Sequence, residues 1–278
     1  MTVQGLAKTN GSHLDIAPAQ AIPEFRLTRE ALSQDQEWID INLDGKWQRK
    51  RLHDYEELYN IPGLYEAIFN RTLKCSSPVR VVSLLADVMA EAGRALEDLR
   101  VLDLGAGNGM VGHELNNHNV ALCVGVDIIP EAKEATLRDR PWCYDDYFIV
   151  DLTAIPEDIA ARIRESRLNA LACVAALGFG DIPTQAFLNA IDLLETPAYL
   201  AFNIKEDFVQ DRDPSGFAEL IRELARRGVI HMQAYRRYQH RLSCAGEPLY
   251  YIAMVATKEE AVPKDLLHGS GPTLTSEP

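Results

Sequence analysis

The sequence predicts an α/β protein: a doubly wound, seven-stranded, mostly parallel sheet with a terminal antiparallel hairpin, preceded by a helical lid. Three observations predict it. From Leu99 onward, short apolar runs alternate with stretches of helical period, the rhythm of consecutive strand–helix units. The first apolar run, "RVLDLG", enters a glycine cluster and then a helix, as a ligand-binding first turn does. The last two runs, "VIHMQAYRRYQHRLS" and "EPLYYIAMVATK", are joined only by "CAGE". That link is too short for a helical crossover, so the two runs pair antiparallel.

Taken in order, residues 1–27 are rich in small and polar types without lasting periodicity and are expected to form a flexible arm. Residues 28–98 are expected to form a helical lid. "DYEELYNI", "GLYEAIFNRTL" and "PVRVVSLLADVMAEAGRAL" carry apolar residues three and four apart, and the last follows "SS" with proline in its first turn. Residues 99–260 then hold the sheet. "RVLDLG", "ALCVGVDI", "DYFIVDL", "NALACVAAL" and "AYLAFNI" read as strands, each followed by a helix, and right-handed crossovers make them parallel. Residues 261–278 are expected to be a disordered tail.

Composition narrows the function. The chain has 278 residues, a formal net charge of −13 and five cysteines without a C-x-x-C pair. So acidic a surface repels phosphate backbones, so nucleic acid is not expected as a partner. The one basic cluster, "KWQRKR", reads as a solvated face of a connecting segment. No apolar run approaches the roughly 20 residues that span a bilayer, and no signal peptide is evident. Cys123 and Cys173 lie in apolar runs and read as reduced core residues. A cytoplasmic protein with no membrane partner and no metal site is expected.

The glycine loop fits two cofactors. Gly107, Gly109 and Gly112 spell the dinucleotide pattern G-x-G-x-x-G, whereas Gly105, Gly107 and Gly109 behind Asp103 spell another. Asp127, at the end of "VGVDI", can accept from two ribose hydroxyls in either case. Four features favour S-adenosylmethionine over NAD. Asp103 would repel a pyrophosphate but suit the ammonium of a methionine moiety. Asp151, at the end of the third strand, can accept from an adenine amino group. The closing hairpin departs from an all-parallel nicotinamide sheet, and no His, Lys or Tyr set stands out for hydride transfer. An NAD(P)-dependent oxidoreductase and a non-catalytic S-adenosylmethionine-binding module remain the alternatives.

"VLDLGAGNG", "VGVDI" and "VDLT", in this order and spacing, resemble the first three motifs of class I S-adenosylmethionine-dependent methyltransferases over about residues 99–258. "YDDYFIVDLT" followed by "VAALGFGDIP" resembles a narrower group, the methyltransferase-like family of the Williams–Beuren syndrome region. The resemblance implies that Gly105, Ala106, Gly107 and Gly109 pass under the methionine and ribose, and that Asp103 orients the amino group. It further implies that Asp127 binds the ribose, Ile128 packs on the adenine, and Asp151 and Leu152 recognise the adenine edge. Ala175 and Ala176 would line the methionine side. In such relatives a lid tyrosine contacts the cofactor carboxylate; Tyr59 and Tyr65 stand in suitable positions, with Arg71 and Lys74 as cationic alternatives.

The acceptor side is less legible. A sulfonium methyl needs mainly alignment and exclusion of water, and a general base only when the acceptor is protonated. Asp181 in "GFGDIP" is the candidate base or orienter of a substrate amine, with a helix cap as the competing role. Lys205, Glu206 and Asp207 in "NIKEDF" could meet a substrate or form a solvated loop, and His113 reads as a surface or packing residue. A lid favours a small-molecule acceptor. The loop "AALGFGDIP" is neither the Asn/Asp-Pro-Pro-aromatic motif of amide- or adenine-amine-methylating enzymes nor a Pro-Cys nucleophile.

Overall fold

Residues 22–30, 33–177, 181–206 and 215–267 are described by the structure, a computed structural model. The chain opens with three short antiparallel strands, β1 (Phe25–Leu27), β2 (Trp38–Leu43) and β3 (Lys46–Arg51). They correct the expectation of an all-helical segment from residue 28 and of an arm extending to residue 27. The physical signal is local. "WIDINL" alternates, with Ile39 and Ile41 buried, and Asp44-Gly45 both adopt positive φ in the two-residue turn that hairpins favour. The basic run "KWQRKR" is β3, an exposed edge strand whose charges discourage further pairing.

Helix α1 (Tyr55–Tyr59) and the short α2 (Leu64–Glu66), which continues through a wide helical turn over Ala67–Thr72, pack on this small sheet. Their core is Ile39, Ile41, Leu52, Leu58, Leu64 and Ile68. Helix α3 (Ser77–Glu91) behaves differently. It packs across the large sheet, burying Val81, Leu84, Leu85 and Met89 there, so the last part of the expected lid belongs to the sheet's own core.

Seven strands form that sheet: β4 (Arg100–Leu104), β5 (Leu122–Asp127), β6 (Asp146–Ile149), β7 (Ala170–Cys173), β8 (Ala198–Lys205), β9 (Ile230–Leu242) and β10 (Pro248–Lys258). Their order is β6-β5-β4-β7-β8-β10-β9, parallel from β6 to β8, with β10 antiparallel to both neighbours. This is the expected doubly wound sheet with its closing hairpin. Helices α4 (Met110–Asn117) and α5 (Pro130–Asp139) follow β4 and β5; α4 joins α3 on one face. Helices α6 (Glu157–Glu165), α7 (Thr184–Asp192) and α8 (Phe217–Arg226) cover the other. A last short helix, α9 (Lys264–Leu267), occupies part of the expected disordered tail, whose remainder lies outside the described residues. Strand order reverses between β4 and β7, so ligands are expected beyond the carboxyl ends of these strands.

Two buried charged groups anchor the architecture. Glu37, just before β2, accepts from Arg241 Nη2 at 2.5 Å and from the Cys244 amide, tying the small sheet to the end of β9. Both side chains are 2% exposed. Asp103 on β4 is fully buried, and its Oδ2 accepts from the Tyr144 hydroxyl at 2.6 Å. Strand alternation places it on the face of Val101, which α3 and α4 cover. Its Oδ1 is buried without a hydrogen-bond partner among the described residues. Burial pushes the Asp103 carboxyl up to about 7, although the Tyr144 bond opposes the shift.

Removing one partner of the Glu37–Arg241 pair strands a buried charge, so Glu37→Ala should cost about 3–5 kcal/mol in urea unfolding. Asp103 imposes a pH dependence. Between the unfolded carboxyl value near 3.8 and the folded value near 7, the native state binds more protons, so stability falls as pH rises through that window. From pH 5 to pH 8 the wild type should lose roughly 2–3 kcal/mol from this group, a loss absent in Asp103→Asn. Equal pH slopes for the two proteins in urea titrations would remove the assignment.

Candidate active site

The glycine loop after β4 is held by its backbone. Gly105 and Ala106 donate to the Val126 carbonyl at 2.9 and 3.1 Å, which drapes the loop over the end of β5. The Gly107 peptide is gripped on both sides. Its N–H donates to Asp127 Oδ2 at 2.8 Å, while its carbonyl accepts from Thr136 Oγ1 and the Tyr147 hydroxyl at 2.9 and 2.8 Å. Its φ is +53°, and a Cβ there would stand 2.6 Å from the Tyr59 hydroxyl, so no side chain fits.

Asp127 also accepts from the amides of Ile128 and Ile129 through Oδ1. Burial raises its carboxyl above the ordinary value, and these three amides pull it back. The consequence is a carboxylate fixed in direction at the mouth of β5. Next to it, Ile128 is 60% exposed, an apolar side chain left facing the cleft.

The cleft lies where the topology places it. Its walls come from the ends of β4, β5, β6 and β7: Gly105, Asp127 and Ile128, Asp151 and Leu152, and Ala175 and Ala176. All seven were expected from the sequence. Asp151 lines the cleft while its Oδ1 caps the following turn by accepting from Thr153, so the capping and lining roles coexist. Ala175 is held at φ +58°, and its amide donates to Asn203 Oδ1 at 2.6 Å. Asn203 belongs to a buried network with Ser77, Tyr238 and His240 that joins α3, β8 and β9. The conformation after β7 is thereby fixed from the core.

The opposite wall is aromatic. Tyr55, Tyr59 and Tyr65 face the cleft, and Tyr59 and Tyr65 have ring centroids 4.9 Å apart. Burial holds the Tyr59 and Tyr55 hydroxyls well above their ordinary range, so both stay neutral. Arg138 donates to the Tyr59 carbonyl, and Arg140 pairs with Glu66 of α2 at 2.7 Å. Asn108 in the glycine loop donates to the same Glu66. Aromatic wall and loop are thus one connected assembly.

Asp181 lines the cleft too, and His53 Nδ1 stands 3.6 Å from its Oδ2. Several expected residues lie elsewhere. Asp103 faces the core, Gly109 precedes α4 away from the cleft wall, and Ala106 and Gly107 support the loop rather than line the cavity. Lys205 ends β8, and Glu206 is engaged by Arg237 at 2.7 Å, so neither is brought to the cleft. Asp207 lies outside the described residues. Arg71, Lys74 and His113 are exposed. Gly112 has a packing reason: a Cβ there would meet the Tyr144 ring at 2.6 Å, so the dinucleotide-like spacing arises from core geometry. Among the described residues no group of three His, Cys, Asp or Glu could hold a metal ion, and no helix is long and apolar enough to cross a membrane.

No protein-family model and no curated protein matches the sequence. Solved structures do. The chain is similar to the N-methyltransferase NodS from Bradyrhizobium japonicum WM9 in complex with S-adenosyl-l-homocysteine, with TM-score 0.51 and 13% identity over 75% of this chain and 98% of that one. Lower scores relate it to magnesium protoporphyrin IX methyltransferase from Synechocystis PCC 6803 with bound SAM (0.44; 17% identity; 66% and 79% covered). The ribosomal protein L11 methylase from Lactobacillus delbrueckii subsp. bulgaricus is similar at 0.43, with 14% identity over 65% and 79% of the two chains. The narrower Williams–Beuren resemblance has no counterpart among these matches. The chain has the α/β fold of the class I S-adenosylmethionine-dependent methyltransferases.

Proposed function

We propose that the protein is an S-adenosylmethionine-dependent methyltransferase acting on a small-molecule acceptor. One observation carries the reading: the Asp127 carboxylate, fixed by the Gly107 amide, stands between the glycine loop and the exposed Ile128 in a cleft also lined by Asp151 and Leu152. This is a donor and acceptor set for a nucleoside. Asp127 accepts the ribose hydroxyls, Ile128 and Leu152 cover the adenine faces, and Asp151 accepts at its amino edge. Gly105, Ala175 and Ala176 offer backbone and small side chains to the methionine arm. Bound there, S-adenosylmethionine supplies a sulfonium methyl group.

The remaining work falls to the chain's own residues. Tyr55, Tyr59 and Tyr65 close the cleft as a lid and exclude water, which strengthens alignment of donor and acceptor. Asp181, with His53 beside it, stands where the acceptor is held. A lid that Arg138 ties at the Tyr59 carbonyl and Arg140 ties at Glu66 leaves room for a small molecule.

Calorimetric titration with S-adenosylhomocysteine should show micromolar binding, weakened at least tenfold, about 1.4 kcal/mol, in Asp127→Ala because a buried acceptor of two hydroxyls is lost. Gly107→Val should abolish binding. Transfer of a tritiated methyl group into a metabolite extract should require the intact protein; absence of transfer into any small-molecule fraction, with label appearing only in macromolecules, contradicts the acceptor class.

A further inference from the structure

A second, smaller cavity adjoins the donor cleft and shares Tyr55, Tyr65, Ala175 and Asp181 with it. Its other walls, among the described residues, include Gln34, His53, Phe69, Arg241 and Tyr251. The chemistry of those walls is one-sided. Arg241 is already matched by Glu37 and donates further to the Leu242 carbonyl. His240 is neutral, its imidazolium suppressed to about 3 by burial and by Arg241, and its Nδ1 is engaged by Ser77. Gln34 is only 8% exposed; its amide N–H donates to the Tyr251 hydroxyl at 2.8 Å, leaving Oε1 buried without a partner. With Arg241 and Glu37 cancelling, the acidic group on the walls is Asp181, with His53 beside it.

The cavity therefore offers an unpartnered carbonyl oxygen, a carboxylate and the rings of Tyr55, Tyr65 and Phe69. Aromatic faces attract cations, and two acceptors suit a group with several N–H donors. We propose that the methyl acceptor is a small primary or secondary amine, held as its ammonium by Asp181 and Gln34 Oε1 against the Tyr55 and Tyr65 rings. This rests on the methyltransferase reading. An ammonium has no lone pair, so a proton must leave before attack, and His53, 3.6 Å from Asp181, is placed to take it. The freed nitrogen pair forms the N–C bond to the methyl carbon, and the C–S pair stays on sulfur. The products are the N-methylammonium ion and S-adenosylhomocysteine, with the one proton released from His53 to solvent.

The test uses the full chain loaded with S-adenosylhomocysteine and three probes of like size: n-butylamine, n-butanol and n-butyrate. In NMR titrations at pH 7.5 the amine should bind at least tenfold more tightly than either of the others. Asp181→Asn should erase that preference, and Gln34→Leu should weaken amine binding at least threefold with S-adenosylhomocysteine affinity within twofold of wild type. Equal binding of the probes, preference for butyrate, or an undiminished amine preference in Asp181→Asn overturns the amine assignment alone. Failure of S-adenosylhomocysteine to bind wild type overturns the methyltransferase reading and this assignment with it.

Discussion

The site hangs on the peptide of Gly107. Its amide is held by Asp127 and its carbonyl by Thr136 and Tyr147, so the loop after β4 and the end of β5 cannot move independently. A carboxylate that accepts three backbone amides is fixed in direction, and hydrogen bonds to an ionised acceptor are the stronger kind. From this follow the exposed Ile128, the close approach of Tyr59 over the loop, and the open cleft at the carboxyl ends of four parallel strands. The parallel register of β4 and β5, Leu104 opposite Val126, makes the grip possible by bringing the two strand ends level.

The N-terminal elements supply the other wall, and they are attached through the core. Glu37 binds Arg241 at the end of β9, and Ser77 at the start of α3 binds Tyr238 and His240 on the same strand. Asn203 extends the second network to Ala175 in the cleft. The wall residue after β7 is thus tied to α3 and β9. The same two anchors carry Arg241 and His240 to the smaller cavity, where neither contributes an open charge. An acidic, aromatic cavity beside the larger cleft is the result.

Much of this was legible in the sequence because the signals are local. The strand–helix rhythm, the glycine loop and the acidic strand ends at Asp127 and Asp151 each sit within a few residues of the structure they specify. The hairpin of β2 and β3 was legible too, in "WIDINL" and Asp44-Gly45, but its strands are only six residues long beside much stronger helical periodicity. Asp103 is a different case. Its position beside the glycines suggests a ligand contact, whereas in the fold it shares the face of Val101, where the Tyr144 hydroxyl holds Oδ2. The smaller cavity has no local signature. Gln34 and Tyr251 meet across more than two hundred residues, as do Glu37 and Arg241, and only the folded arrangement shows that these groups share a wall.

The central claim is that the gripped loop and Asp127 form a nucleoside–methionine site rather than a dinucleotide site. Parallel calorimetric titrations of the wild-type protein with S-adenosylhomocysteine and with NADH test it most directly. Saturable one-to-one binding of S-adenosylhomocysteine and no heat of binding with NADH are expected. Tight NADH binding with no S-adenosylhomocysteine signal would contradict it.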